Sequence, residues 1–133
     1  MHSFTVDQAN RTLPLVRRIV DDIVHEHRRW SEAVVQLDVL ASALAAETPD
    51  PRIAPLEREI QEIARQIDAF QRELDALGIQ LKDRRTGLID FPGVLDGRHV
   101  LLCWRLGEES VQFWHDEMSG FAGRQPLSPT FVG

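Results

Sequence analysis

A histidine near the C-terminus, His115, is the residue whose type and surroundings most readily suggest chemistry. It follows the largely apolar segment 111–114, so a strand there would carry it to a buried face, where both ring nitrogens need partners. A buried histidine can act as a metal ligand or a general base, and Glu117, Asp90 and Glu108 are candidate carboxylate companions. A divalent metal centred on His115 is therefore one prediction, and a structural histidine satisfied by hydrogen bonds is the alternative.

Two arginines, Arg105 and Arg124, suggest a second kind of site, one that would bind a small anion. A guanidinium group pairs well with a carboxylate or a phosphate. Arg105 is expected on the same sheet face as Asp90, and Arg124 follows the segment 120–123, whose glycines could shape a backbone nest for an anion. Cross-strand ion pairs and a capping turn explain the same residues without any ligand.

The remaining candidates for chemistry are weaker. Cys103 is the only cysteine, so the chain cannot form an internal disulfide bond, and we predict a packed, unreactive thiol. His25 and His27 lack the four-residue spacing of a helical zinc motif, because position 29 is Arg29. Since no complete catalytic set is found, the sequence favours a protein that is not an enzyme. It predicts no cofactor, with a divalent metal as the one alternative.

Helices in the first half of the chain are the first elements that must position these residues. Thr5 and Gln8 form a capping box at the start of a helix, and Pro14 is predicted to kink or break its first turns. From Pro14 to about residue 46 the apolar residues recur at helical spacing. Their stripe is wider than one partner helix can cover. Either the sheet or a second chain would cover the rest, and we favour a homodimer through the helices.

The second helix carries the clearest pattern in the chain. Its apolar residues alternate by three and four positions, which is the spacing of a coiled-coil seam. The seam consists of Ile53, Leu56, Ile60, Ile63, Ile67, Phe70, Leu74 and Leu77. Asp50 and Pro51 suit the N-terminus of this helix and Gly78 suits its end. The short link between the two helices predicts an antiparallel hairpin.

The second half of the chain is predicted to form a three-stranded antiparallel sheet. The strands are 88–91, 98–106 and 111–117. The dipeptide Asp96-Gly97 marks the first turn. If Leu106 pairs with Val111 across the second turn, His115 lies opposite Leu102, on the apolar face that packs against the helices.

The predicted fold class is therefore α+β. A long antiparallel helical hairpin, coiled-coil-like in its packing, is followed by a small antiparallel three-stranded β-sheet. The whole chain forms a single domain, in which residues 1–78 are the hairpin, 79–124 the β-rich unit and 125–133 a tail. A chain of 133 residues is long enough to bury a core of its own.

The composition excludes several classes of partner. The formal net charge of −6, without a basic patch interleaved with aromatic residues, argues against nucleic acid. No apolar stretch is long enough to span a membrane, and no signal peptide is visible at the start. We therefore expect a cytoplasmic protein without a membrane or nucleic-acid partner.

Short phrases in the second half of the chain resemble an uncharacterised bacterial family, domain of unknown function 2203. The phrases are Asp90-Phe91-Pro92, Leu102-Cys103-Trp104, Leu106-Gly107-Glu108, Trp114-His115 and the segment 120–126. Near the N-terminus, the dipeptides Phe4-Thr5 and Leu13-Pro14 resemble the same family. The resemblance spans nearly the whole chain and implies a bacterial setting, but it implies no catalytic residue.

Three functions are consistent with the sequence. The first is a non-enzymatic interaction or adaptor protein that dimerises through its helical hairpin and binds an unknown protein partner. The second is a metal-binding protein or metal-dependent hydrolase centred on His115. The third is a small-anion binding module that uses Arg105 and Arg124.

Overall fold

Two long helices form the N-terminal part of the protein, whose computed structural model describes residues 3–42 and 50–127. Helix α1 spans Val6–Ser42 and helix α2 spans Ile53–Ala76. The predicted capping box is confirmed, since the Thr5 N–H donates to Gln8 Oε1 at 2.9 Å and the Gln8 N–H donates to Thr5 Oγ1 at 3.0 Å. The predicted tail residues 128–133 and the link between the helices lie outside the described residues, apart from Asp50 to Arg52.

Helix α1 runs through Pro14 without interruption, so of the predicted kink or break the break is wrong. A proline inside a helix removes one backbone hydrogen bond and costs about 3 kcal/mol. Leu13 and Val16 on either side of Pro14 are buried in the core. Burying two such side chains is worth roughly 3–6 kcal/mol, which offsets the cost of the proline.

Helix α2 runs back along α1. Arg29 of α1 pairs with Glu59 of α2 at 3.6 Å, and Leu40 near the end of α1 clusters with Leu56 near the start of α2. All eight residues of the predicted seam are buried or half-buried. After α2 the chain turns at Gly78, whose φ of 79° is readily adopted by glycine, as the sequence predicts.

A five-stranded antiparallel sheet follows the helices, so the prediction of three strands is corrected. The strands are β1 Gln80–Asp83, β2 Leu88–Leu95, β3 Arg98–Arg105, β4 Phe113–His115 and β5 Gln125–Pro126, in the spatial order β1-β2-β3-β4-β5. The two strands missed by the sequence are short and carry polar or exposed residues. Strand β2 also continues through Pro92 and Gly93, and β5 occupies the start of the predicted tail.

The core lies between the inner face of the sheet and the first half of α1. One apolar cluster joins them, and its members include Val6, Ala9, Leu13, Val16, Val20 and Ile23 from α1 with Ile89, Phe91, Val100, Leu102 and Trp104 from the sheet. Phe4 adds to the same cluster, and its N–H donates to the Pro92 carbonyl at 2.7 Å. No helix in the two described segments of the chain is long and apolar enough to cross a membrane.

The pairing of β3 with β4 differs by one residue from the predicted register. Leu101 lies opposite His115, and Leu102 lies opposite Trp114. The cause is a contact with α1, because the Val111 N–H donates to Asn10 Oδ1 at 2.7 Å and Asn10 Nδ2 donates to the Val111 carbonyl at 3.4 Å. Val111 is thereby held by the helix, outside the strand ladder. The one-residue shift moves His115 from the predicted inner face to the outer face of the sheet.

Candidate functional site

Three buried side chains with different ligand atoms meet on the outer face of the sheet. Asp90 in β2 lies opposite Cys103 in β3, and His115 in β4 reaches them across β3. A nitrogen of His115, the sulfur of Cys103 and a carboxylate oxygen of Asp90 all lie within 4.8 Å of one another. The three residues are 3%, 0% and 2% exposed, respectively. We call these residues the Asp-Cys-His cluster.

Hydrogen bonds fix both the orientation and the proton content of the His115 ring. Its Nδ1 lies 2.6 Å from the carbonyl oxygen of Asp116, and because a carbonyl only accepts, Nδ1 carries a proton. Its Nε2 lies 3.0 Å from Asp90 Oδ1, and this hydrogen bond needs one further proton on one of the two atoms. Asp90 and His115 together therefore hold a net charge of zero, whichever of them carries the shared proton.

The thiol of Cys103 is protonated at neutral pH. Burial, together with the nearby carboxylate of Asp90, raises its pKa to about 11. A hydrogen bond from Arg124 Nη1 at 3.9 Å acts in the opposite direction without reversing the shift. The predicted packing of Cys103 is confirmed by its burial, and the raised pKa is opposite to the lowered pKa that a reactive cysteine needs.

An ion pair between Arg124 and Glu108 closes one side of the cluster. Arg124 donates to both carboxylate oxygens of Glu108, at 3.0 Å and 2.6 Å. Its guanidinium group also lies 3.9 Å from the ring centre of Phe113 and 4.3 Å from that of Phe121. Burial alone would raise the pKa of Glu108, but hydrogen bonds from Arg124 and from the Arg105 N–H outweigh it and hold the pKa below its ordinary value. Arg124 is thus fully engaged within the protein.

Two turns after β4 bring these groups together. The Asp116 carboxylate accepts from the N–H groups of Met118 and Ser119 at 2.9 Å and 2.8 Å, which fixes the turn and the carbonyl that holds His115. Gly120 then adopts φ 61° and ψ −164°, a conformation that residues with a Cβ avoid. It leads into a single 3-10 turn, Phe121–Gly123, that carries the aromatic ring onto Arg124.

A cleft of about 250 Å³ opens directly beside the cluster. Asp90 and His115 form part of its floor, and Leu88, Leu101, Phe121, Gly120, Lys82 and Glu117 form the rest of its lining. Lys82 lies on the same face of β1 as Gln80, which pairs with Asp90, and it is the extra residue of a β-bulge between the pairs Leu81–Ile89 and Asp83–Leu88. A second hollow of about 370 Å³ adjoins the first and shares Leu101 and Glu117 with it.

The structure brings together only some of the residues singled out in the sequence. His115 and Asp90 are in direct contact, whereas Glu117 is an exposed residue at the cleft. Glu108 pairs with Arg124, and the side chain of Arg105 is exposed. The predicted metal companions therefore separate, with Asp90 inside the cluster and the two glutamates outside it.

Cys103 is the member of the cluster that the sequence analysis missed as a ligand. The signal was present, because a two-residue Asp96-Gly97 turn places Asp90 directly opposite Cys103. Only the position of His115 required the correct register of β4. In the described part of the chain no other group of three His, Cys, Asp or Glu residues converges in this way.

The cluster has the chemical character of a site for a divalent transition-metal ion. A tetrahedral zinc ion holds nitrogen, oxygen and sulfur ligands at about 2.0–2.3 Å, so its ligand atoms lie roughly 3.3–3.7 Å apart. Small side-chain shifts would bring the three atoms from their present separations to that geometry. An ion of charge +2 would replace the shared proton and the thiol proton, and the buried site would remain neutral.

Comparison with known proteins gives one match. Residues 2–127 match the family described as uncharacterized conserved protein, DUF2203, which confirms the resemblance drawn from the sequence. No curated protein and no solved structure matches the chain. The site is therefore interpreted from its own geometry.

Proposed function

This chain belongs to the DUF2203 family, and we propose that it is a metal-binding protein whose divalent ion, of the zinc class, is held by Asp90, Cys103 and His115. The single observation that carries the proposal is the convergence of three buried ligand atoms of three different types within 4.8 Å. Nitrogen, sulfur and oxygen together form a donor set that zinc accepts readily, whereas magnesium and calcium prefer oxygen alone.

The surroundings of the three ligands support the same proposal. The second ring nitrogen of His115 donates to a backbone carbonyl, which is the usual way in which a metal-binding histidine is oriented. Arg124 would stabilise the thiolate form of Cys103 that an ion requires, because it already donates to the sulfur. Three protein ligands leave a fourth position of a tetrahedral ion free, as in catalytic zinc sites. That position would face the cleft.

Two other functions fit the geometry less well. A general base needs a free ring nitrogen, and both nitrogens of His115 are hydrogen-bonded within the protein. An anion site built on Arg124 would have to displace Glu108, which accepts two charge-assisted hydrogen bonds from it. Neither objection applies to a metal ion, since the ion replaces the proton between His115 and Asp90.

The decisive experiment compares metal binding by the wild-type protein and by Cys103→Ser. Both proteins are stripped with a chelator, dialysed against Zn²⁺ or Co²⁺ and analysed by elemental mass spectrometry and by absorption spectroscopy. We expect about one ion per wild-type chain and, with Co²⁺, a sulfur-to-metal charge-transfer band in the near ultraviolet. Cys103→Ser should lose that band and bind the ion at least tenfold more weakly, while its circular dichroism spectrum is unchanged.

A matched control uses a histidine on the same strand as Cys103 but outside the cluster. His99 is exposed in β3 and lines only the second hollow, so His99→Gln should bind the ion like the wild type. A reconstituted wild-type protein without metal, or a Co²⁺ spectrum that Cys103→Ser leaves unaltered, would contradict the proposal.

The described surface of α1 supports a second proposal, dimerisation through the helical hairpin. Val35 and Val39 are 63% and 60% exposed and lie four residues apart, on one face of α1. We infer that a second copy of the chain covers this face and that the seam of α2 packs in a coiled-coil-like manner. Analytical ultracentrifugation tests the dimer. Val39→Asp should give a monomer, and a wild-type protein that is already monomeric at high concentration would refute dimerisation.

A further inference from the structure

The cleft beside the Asp-Cys-His cluster is large enough for a small organic molecule. Its volume of about 250 Å³ lies just below the range of about 300–1,000 Å³ that is typical of sites for drug-sized ligands. Its walls are apolar where Leu88, Leu101 and Phe121 contribute, and polar at its floor and at two points of its rim. Such a mixture suits a small molecule with an apolar body and few charged groups.

The two charged residues at the rim have opposite signs. Lys82 belongs to β1 and Glu117 follows β4, so the strand order places them on opposite sides of a floor made by β2 and β3. Neither side chain makes an ion pair or a side-chain hydrogen bond with any described residue. Lys82 is moreover the extra residue of a β-bulge, a feature that commonly re-aims a side chain next to a functional site.

We propose that this cleft binds a small zwitterion of the amino-acid class, a free amino acid or a dipeptide, whose carboxylate pairs with Lys82 and whose ammonium group pairs with Glu117. The apolar side chain of the ligand would lie against Leu88, Leu101 and Phe121. The proposal rests on the proposed function only in that the metal ion would form part of the cleft floor.

Charge excludes the most common alternatives for a cleft of this kind. A nucleotide or another polyanion would meet the carboxylate of Glu117 at the rim, where Lys82 is the one lysine or arginine among the described residues that line the cleft. A purely apolar ligand would form a charge-assisted hydrogen bond with neither Lys82 nor Glu117. A long peptide would extend beyond a hollow of this volume. A zwitterion satisfies both charges at once.

The test uses leucine and two analogues that each lack one of its charged groups. Binding of L-leucine, 4-methylpentanoate and 3-methylbutylamine, and of the dipeptide leucylglycine, is measured by isothermal titration calorimetry and NMR shift perturbation on the full-length, zinc-loaded protein. We expect leucine or leucylglycine to bind, and both analogues to bind at least tenfold more weakly. Shifts should concentrate on the residues that line the cleft.

Variants at the rim give the second arm of the test. Lys82→Gln and Glu117→Gln should each weaken binding of the zwitterion by about tenfold, since each removes one charge-assisted pair. Arg85→Gln and Glu73→Gln are matched controls, because both residues are exposed and neither lines the cleft. They should bind the zwitterion like the wild type.

The metal content of each sample separates this proposal from the proposed function. A wild-type protein that holds one ion but binds neither zwitterion would overturn the ligand proposal alone. Binding that Lys82→Gln and Glu117→Gln leave unchanged, or equal binding of all three leucine-type probes, would also overturn it. A protein that binds leucine with the expected dependence on both rim residues, but never binds metal, would support the ligand proposal and refute the metal site.

Discussion

Replacing Asp90 by asparagine should separate the structural role of the buried pair from its role as a metal ligand. Asparagine has the shape of aspartate, and its Nδ2 can donate to Nε2 of a neutral His115 while Nδ1 still donates to the Asp116 carbonyl. The number of hydrogen bonds is unchanged and no charge is buried. We therefore expect Asp90→Asn to lower the free energy of unfolding by only about 1 kcal/mol.

Removal of the histidine has a different consequence for the same pair. His115→Leu leaves the carboxyl group of Asp90 buried without its partner, and losing one partner of a buried ion pair costs about 3–5 kcal/mol. Urea unfolding followed by circular dichroism measures the free energy of unfolding of both variants. The losses caused by Asp90→Asn and by His115→Leu should differ by about 2 kcal/mol or more. The double variant Asp90→Leu, His115→Leu should be more stable than His115→Leu alone, because it also removes the buried carboxyl group that the single variant leaves without a partner.

The affinity for Zn²⁺ should not follow the same order as the free energy of unfolding in these variants. Asp90→Asn replaces a charged ligand by a neutral amide. Loss of a residue that only contacts a metal ligand typically lowers metal affinity by about 10–100-fold, and loss of a ligand itself should lower the affinity for Zn²⁺ by more than that. Asp90→Asn would thus be nearly as stable as the wild type yet deficient in metal. An Asp90→Asn protein as unstable as His115→Leu would refute the shared proton, and one that keeps its Zn²⁺ affinity within about threefold would refute the metal site.

Three further predictions follow from the hydrogen bonds of the site and of α1. Metal binding should release about two protons per ion, one from Cys103 and one shared by Asp90 and His115, which calorimetry in buffers of different ionisation enthalpy measures. Because the pKa of the Cys103 thiol is about 11, affinity should rise by at least about tenfold per pH unit from pH 6 to pH 8; an affinity independent of pH would contradict this count. Gly120→Ala should cost about 1–3 kcal/mol in urea unfolding, because φ 61° with ψ −164° strains a residue with a Cβ; an unchanged midpoint would show that the turn is not fixed. Thr5→Ala should lower the free energy of unfolding by about 1 kcal/mol, because the capping box is lost. Thr12→Ala is the control, because it removes the same side chain from a position inside the helix.

The helices could be predicted well because their signals are local. The capping box at Thr5 and Gln8, the seam of α2 and the stop at Gly78 each depend on residues a few positions apart. The helix continues through Pro14 for a non-local reason, since the burial of Leu13 and Val16 in the core outweighs the intrinsic preference of proline.

The sheet was predicted only in part. The Asp96-Gly97 turn fixes the pairing of β2 with β3, because a two-residue turn allows one register, and this pairing places Asp90 opposite Cys103. Strands β1 and β5 are too short and too polar to give a periodic signal, and they exist because neighbouring strands offer them hydrogen bonds. Their absence from the prediction removed Lys82 from the list of residues near the cleft.

The amino-acid sequence by itself determined the α+β class, the two helices and the central hairpin of the sheet, and it predicted His115 as a candidate site residue. It could not determine the face on which His115 lies, because the period of a strand is two and a shift of one residue reverses every side chain. That shift is decided by Asn10 of α1, which binds both backbone polar groups of Val111 across about a hundred residues of chain. Only the tertiary structure therefore brings His115, Asp90 and Cys103 together, since a contact between helix and loop sets the register of the strand that carries the histidine.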